Sequence, residues 1–377
     1  MSKKYLFIIA FSTIMAFSAL YAPQPLLPVI ANDFTITKDL ASLLITVTLI
    51  PLALAPLFYG YILEKFSAKL VVSVSFLILG LSEVVVYFTN SFFLFLFIRF
   101  INGLVLPAIL TGLMTYISIS TSKENVQKVM AFYIASTIVG GFSGRLVSGF
   151  ISTFFGWRYV FLFLFVSLLI SLFLILQLKK DDRLNVNKLD LNLAKKVLQK
   201  KEFLYGYLTI FFTFFVFAGF LNILPFRMFE LSSNVTEFKT GVMYSGYMLG
   251  LIISINNAKI IDLLAGSAKR LVVYGLAMYL FSLVILSIKS VILLFLGMFL
   301  FCGGMFTVHS TLSGHLNRLA MENKGVVNGL YVSFYYTGGS LGSYIAVMVY
   351  RNFGWYIVLF LLATMIILAN YFIKRCS

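Results

Sequence analysis

Long apolar runs dominate the chain, and short polar or charged clusters interrupt them. The runs cover about 5–31, 40–63, 70–89, 92–119, 128–154, 158–178, 203–226, 240–261, 270–288, 290–316, 325–350 and 355–373. An α-helix needs roughly 20 residues to cross the hydrocarbon core of a bilayer, and each run is near that length. The pattern therefore predicts an all-α membrane protein of twelve spans. An even number returns both termini to the same side.

Composition agrees with the pattern. Of 377 residues 61% are hydrophobic and only 11% are charged. The mean hydropathy is +1.00, too apolar for the surface of a soluble protein. A net charge of +16 would suit nucleic acid, but no basic patch alternates with exposed aromatic residues. Threading the basic residues through twelve spans explains the charge instead. Twenty-one of the 29 Lys and Arg residues fall on the side of the termini and six on the other, with Arg99 and Arg145 inside spans. That bias makes the side of the termini cytoplasmic. The first residues, with Lys3 and Lys4 before an apolar stretch, mimic a secretory signal. The stretch continues to Ala31, so it is expected to stay as the first span.

Candidate enzymatic chemistry is sparse. Cys302 and Cys376 suggest no disulfide framework, and no His, Cys, Asp and Glu cluster has metal-ligand spacing. His309 and His315 are expected to be structural. No Gly-rich phosphate loop and no catalytic triad is present, so neither ATP drive nor an enzyme is indicated. No cofactor is expected beyond a proton gradient.

The chain repeats itself at an offset of 198 residues. "GGFSGRLVSGFISTFFGW" (140–157) matches "GGSLGSYIAVMVYRNFGW" (338–355). Glu124 and Asn125 match Glu322 and Asn323, Val129 matches Val327, and Tyr133 matches Tyr331. Two six-helix bundles are expected, 1–178 and 203–377, joined by a basic cytoplasmic linker, 179–202. Part of the linker, 190–201, reads as an amphipathic surface helix. Parallel repeats about an axis along the membrane normal place a substrate site between the halves near mid-membrane.

Several stretches resemble the major facilitator superfamily over essentially the whole chain. "GYILEKFSAKL" (60–70) is similar to its signature loop: Gly60, Leu63 and Lys69 fit, Glu64 and Lys65 replace Asp and Arg, and Ser67 stands where Gly is usual. "RFINGLVLPA" (99–108) resembles the R-x-x-x-G pattern with Arg99 and Gly103. With "FGWR" (155–158), "YAPQPLLPVI" and "SGRLVSG", the chain looks closest to arabinose-efflux-type permeases of the drug:proton antiporter group. That resemblance implies proton-coupled multidrug-type efflux. Antiporters of the group often carry Gly-Pro in helix 5; here Gly140 and Gly144 fit but Arg145 stands in the Pro position.

Ionisable side chains at mid-membrane are costly and should be paired or line water. Glu83 and Arg99 lie at similar depth in adjacent spans and are expected to form a proton-sensitive pair. Arg145 has no evident acidic partner, so it could attract an anionic substrate, bond backbone carbonyls or face Glu83. The substrate cavity is expected to use Tyr21, Gln24, Arg145, Asn222, Tyr331 and Tyr335. Gating is expected from Gly60, Glu64, Lys65 and Lys69, and from the small residues Gly140, Gly144, Gly246, Gly250, Gly338 and Gly342. Of these, Gly140 and Gly144 are expected to pack against Gly246 and Gly250. The reading is a monomeric multi-pass transporter of the bacterial inner membrane that exports a small organic compound by alternating access. Its partners are that substrate and the lipid bilayer, with no nucleic acid. Uptake of a small anionic nutrient, or a non-transporting receptor on the same scaffold, are the alternatives.

Overall fold

The computed structural model describes residues 3–179, 191–264, 266–320 and 324–376, without the side chains at 57, 60, 61, 64, 123, 124, 127 and 191. The expected gating residues Gly60 and Glu64, and the linker segment 180–190, therefore lie outside the described residues. Among those described, the chain is helical with no strand. In order the helices are α1 (Lys3–Tyr21), α2 (Leu27–Asp33), α3 (Lys38–Lys65), α4 (Ala68–Phe88), α5 (Phe92–Ser120), α6 (Lys123–Phe155) and α7 (Trp157–Leu176), then α8 (Leu191–Gln199) of the linker. The second half holds α9 (Lys201–Leu231), α10 (Glu237–Met243), α11 (Tyr247–Leu263), α12 (Ala268–Leu286), α13 (Val291–Leu319), α14 (Lys324–Phe353) and α15 (Trp355–Arg375).

Eleven segments among the described residues are long and apolar enough to cross a membrane. The remaining expected span, α14, is 30 residues long but richer in Gly, Ser and Tyr. Its position accounts for that. It packs chiefly between α9 and α3, so neighbouring helices rather than lipid cover it.

Both halves use the same neighbour scheme. In the first, α1 packs on α6, α3 on α5, and α4 on α5 and α7. In the second, α9 packs on α14, α11 on α13, and α12 on α13 and α15. Between halves α3 meets α14 and α6 meets α10, which are again equivalent pairs. The repeated Phe-Gly-Trp has a local reason. Gly156 (φ 101°) and Gly354 (φ 81°) turn α6 into α7 and α14 into α15 in a conformation that side chains disfavour. Trp157 and Trp355 then enter the next helix buried.

The repeated glycines correct one expectation. Gly140 and Gly144 do not pack against Gly246 and Gly250. A Cβ on Gly140 would lie 2.7 Å from the Ile14 carbonyl, and one on Gly144 2.9 Å from the Ser18 Cβ. Gly338 and Gly342 approach Phe211 and Phe215 of α9 in the same way, while Gly246 and Gly250 approach Met298 and Phe306 of α13. These glycines weld helices within a half. At the contact between halves it is Gly149 that would meet Glu237 and Gly241 that would meet Arg145, so these two permit the close approach.

The face that carries α2, the start of α3 and the ends of α9 and α14 is the distal face; the termini and linker mark the opposite one. Across the distal face Lys38 Nζ pairs with Glu230 Oε1 at 2.6 Å, and Arg351 Nη1 with Asp39 Oδ1 at 2.7 Å. Thr153 Oγ1 donates to Glu237 Oε2 at 3.2 Å and accepts from the Phe238 amide at 3.0 Å. Two helices of the first half, α3 and α6, are thus tied at this face to three of the second, α9, α10 and α14. On the linker side, α8 rests on α9 and α14, both in the second half.

Substituting Val for Gly144 should push α6 off α1 and destabilise the protein by about 1–3 kcal/mol, the usual cost of overpacking a filled core. Gly314→Ala, where an added Cβ meets nothing within 4 Å, is the control. Thermal unfolding of the two purified variants measures the difference.

Candidate functional site

The site begins with a break in the first span. Pro23 has no amide hydrogen for the Ala19 carbonyl, and Pro25 none for that of Tyr21. The helix therefore stops at Tyr21 and resumes as a 3-10 turn, Gln24–Leu26, before α2. A broken helix inside a membrane protein needs its freed backbone groups satisfied by protein. Arg99 does this. From α5 its Nη1 donates to the Ala19 carbonyl at 3.0 Å, Nη2 to that of Leu20 at 2.7 Å, and Nε to that of Leu44 on α3 at 3.1 Å.

The expected partners Glu83 and Arg99 lie within electrostatic range of each other. The two residues are both fully buried, but no direct bond joins them. Arg99 spends its guanidinium on three carbonyls. Glu83 Oε1 accepts from Asn102 Nδ2 at 3.2 Å, and Oε2 has no partner. Asn102 in turn accepts from Ser82 Oγ at 2.6 Å.

The clamped break aims Tyr21 and Gln24 at Arg145, ten residues before the distal end of α6, hence about 15 Å from it. Arg145 is fully buried. Its Nε donates to Gln24 Oε1 at 2.6 Å, and Nη1 to the Gly141 carbonyl. Three rings surround the guanidinium carbon: Tyr21 at 4.2 Å, Tyr244 at 4.9 Å and Tyr247 at 4.9 Å. The last two flank a second break, the 3-10 turn Tyr244–Gly246 between α10 and α11. Both interrupted spans thus converge on one cation. A charge at this depth costs about 3 kcal/mol by insertion scales, and ring faces attract a cation when desolvated.

Gln24 then reaches across the halves: its amide nitrogen Nε2 donates to Asn222 Oδ1 at 2.5 Å. Asn222 Nδ2 donates to the Ser343 carbonyl at 3.1 Å, and the Ser343 and Thr46 hydroxyls lie 2.7 Å apart. Gln24 and Asn222 stand 198 residues apart, the offset of the repeat. Arg145 and Ser343 do as well, 343 − 145 being 198. Equivalent amides therefore pair with each other where the halves meet, Gln24 also bonded to α6 and Asn222 to α14 of its own half. Pro225 does not break α9, which runs unbroken past Asn222.

Tyr331 and Tyr335 belong to a neighbouring group in the second half. The Tyr331 hydroxyl donates to the His309 carbonyl at 3.1 Å and lies 2.9 Å from His309 Nδ1. Tyr335 stacks on Phe214 at 3.6 Å and meets the His309 ring at a tilt, centroids 4.9 Å apart. Lys69 donates to the Leu176 and Leu178 carbonyls at 2.8 and 2.6 Å, tying α4 to the end of α7, whereas Lys65 is exposed. Sequence reasoning missed Tyr244, Tyr247 and Ser343; the only available signal was the position of Ser343 opposite Arg145 in the repeat.

The family model of the Major Facilitator Superfamily matches residues 6–343. The chain belongs to this superfamily. It is 27% identical over 343 residues to an uncharacterized transporter of Buchnera aphidicola subsp. Schizaphis graminum, covering 86% of this chain and 80% of that one. The inner membrane transport protein YnfM of Escherichia coli is 26% identical over 363 residues, 94% of this chain and 85% of YnfM. YybF of Bacillus subtilis, an uncharacterized MFS-type transporter, is 24% identical over 362 residues. The fold matches the crystal structure of a bacterial homolog of the human lysosomal transporter Spinster, inward-facing and unoccupied. The TM-score is 0.81 at 13% identity, over 100% of this chain and 98% of that one. The all-α, two-bundle architecture of the superfamily and its transporter class therefore hold for this chain.

Arg99→Met should orphan the buried carbonyls of Ala19 and Leu20, Leu44 keeping its bond from Thr48, and lower stability by about 2 kcal/mol or more, since each lost buried bond costs about 1–3 kcal/mol. Thermal unfolding should show that loss, whereas a Glu83→Gln control stays near wild type if no ion pair joins the two.

Proposed function

We propose that this superfamily transporter exports a small organic compound across a bacterial inner membrane, driven by the proton gradient through alternating access. The observation that carries the reading is the central chain of buried polar contacts, Arg145–Gln24–Asn222–Ser343, which links the two halves at the point where both interrupted spans meet. The excess of Lys and Arg on the linker side makes that face cytoplasmic and keeps both termini inside. The transporter acts as a monomer.

The distal seal is built to open. The side chains of Lys38, Glu230 and Arg351 are 37%, 40% and 39% exposed. The Lys38–Glu230 pair, exposed on both sides, contributes about 0.2–1 kcal/mol, whereas Asp39 of the second pair is buried, its side chain 9% exposed. Ties of this kind leave the closed and open forms within a few kcal/mol, the range in which a ligand or a proton shifts the balance. Proton coupling is assigned to Glu83, the buried acid whose Oε2 lacks a donor. A proton arriving there neutralises the oxygen that no donor compensates. Arg99 acts beside it by holding the break in the first span. Import of an anionic nutrient is the second reading, favoured by the unpaired charge of Arg145; it predicts inward accumulation against a reversed gradient.

In proteoliposomes, Glu83→Gln should abolish transport driven by a pH gradient while equilibrium ligand binding persists. Gradient-driven flux undiminished in that variant would refute proton coupling at this residue. Asp39→Asn combined with Glu230→Gln should raise labelling of cysteines placed near Gln24 from the periplasmic side several-fold; unchanged labelling would refute the seal.

A further inference from the structure

We propose that the transported compound is an organic oxyanion, and that Arg145 with the hydroxyls of Tyr21 and Tyr247 receives its charged head. The inference deepens the preceding reading and rests on the central site being the transport site.

The internal repeat separates what the fold needs from what the ligand needs. Ser343 occupies the position equivalent to Arg145. Its backbone carbonyl accepts from Asn222, whereas the Arg145 side chain donates to Gln24, the equivalent amide. Gly342 precedes Ser343 against α9 as Gly144 precedes Arg145 against α1. The helix contact thus forms equally well around a serine, and the scaffold does not call for a cation here.

Nor is the charge neutralised by protein. The groups around the guanidinium are an amide oxygen, a carbonyl and three tyrosine rings, with no carboxylate among the described residues. Glu83, the deep acid, bonds Asn102 on α5, and its helix packs on α5 and α7. Lys38 and Arg351 already hold Glu230 and Asp39 at the distal face. Arg99 differs from Arg145 in the same comparison, because all three of its nitrogens are bonded to carbonyls.

What remains open at the site is donors. Arg145 uses Nε and Nη1, and among the described residues no acceptor meets Nη2. Tyr244 donates to the Leu221 carbonyl, whereas no acceptor among the described residues holds the hydroxyls of Tyr21 and Tyr247. A guanidinium edge and two phenols favour an acceptor with several lone pairs, and charge-assisted bonds to a carboxylate, phosphate or sulfonate are the strong ones. Rings on three sides suit a flat or apolar body behind that head.

The test is calorimetric titration of the detergent-solubilised full chain with benzoate, phenylphosphonate and benzenesulfonate. Benzamide, benzyl alcohol and benzylammonium are the matched neutral and cationic probes. At least one oxyanion should bind, and more tightly than its neutral counterpart. Arg145→Ser, the residue its repeat partner carries, should remain monodisperse and weaken that binding by about tenfold or more. Arg145→Lys should retain part of it, and this variant decides the matter if the serine variant does not fold. Neutral or cationic probes binding as well as the oxyanions, no oxyanion binding at all, or affinity unchanged in both variants would each overturn the proposal. Gradient-driven flux of the same probes separates the two readings. Binding without flux removes the transport reading and leaves the anion site. Flux of a neutral compound that ignores Arg145 does the reverse.

Discussion

A membrane interior supplies no water to a polar group, so each one left by a helix break must find its partner in the protein. That constraint organises this molecule. Two prolines interrupt the first span, and Arg99 supplies the donors that the backbone lost. Once clamped, the break presents Gln24 inward, where it meets Asn222 of the other half. The pairing between halves depends on the clamp within one half.

The approximate two-fold symmetry explains why such a pair sits at the centre. A contact on the axis brings equivalent residues together, and two amides complement each other because each carries both a donor and an acceptor. Charged pairs cannot do this, since equivalent positions tend to repeat the same sign. The ion pairs accordingly lie off the axis, at the distal face, where Lys38 and Asp39 reach different helices of the second half. A neutral pair at the centre and exposed ionic ties at the rim make an interface that holds one arrangement without committing to it.

The two buried arginines illustrate how little burial alone says about role. Both are fully enclosed. Arg99 has its donors spent on carbonyls and serves the backbone. Arg145 has an amide oxygen, one carbonyl and three rings around it, and the repeat places a serine at the equivalent position.

Much of the architecture was legible in the sequence, because apolar length, the 198-residue repeat and the basic bias are all local or periodic signals. They determined the helical class, the two halves and the placement of Arg145, Gln24, Asn222 and Tyr21 near one another at the centre. Tertiary structure alone decided the partners. Arg99 turned to carbonyls because the helix break at Pro23 left those of Ala19 and Leu20 without helical amides, and Glu83 was left with Asn102. The glycines at 140, 144, 338 and 342 closed helices within halves, and Gly149 and Gly241 closed the halves on each other. Helical spacing shows which residues share a face; which neighbour that face meets depends on rotation and crossing of whole helices, and those are set by every contact together.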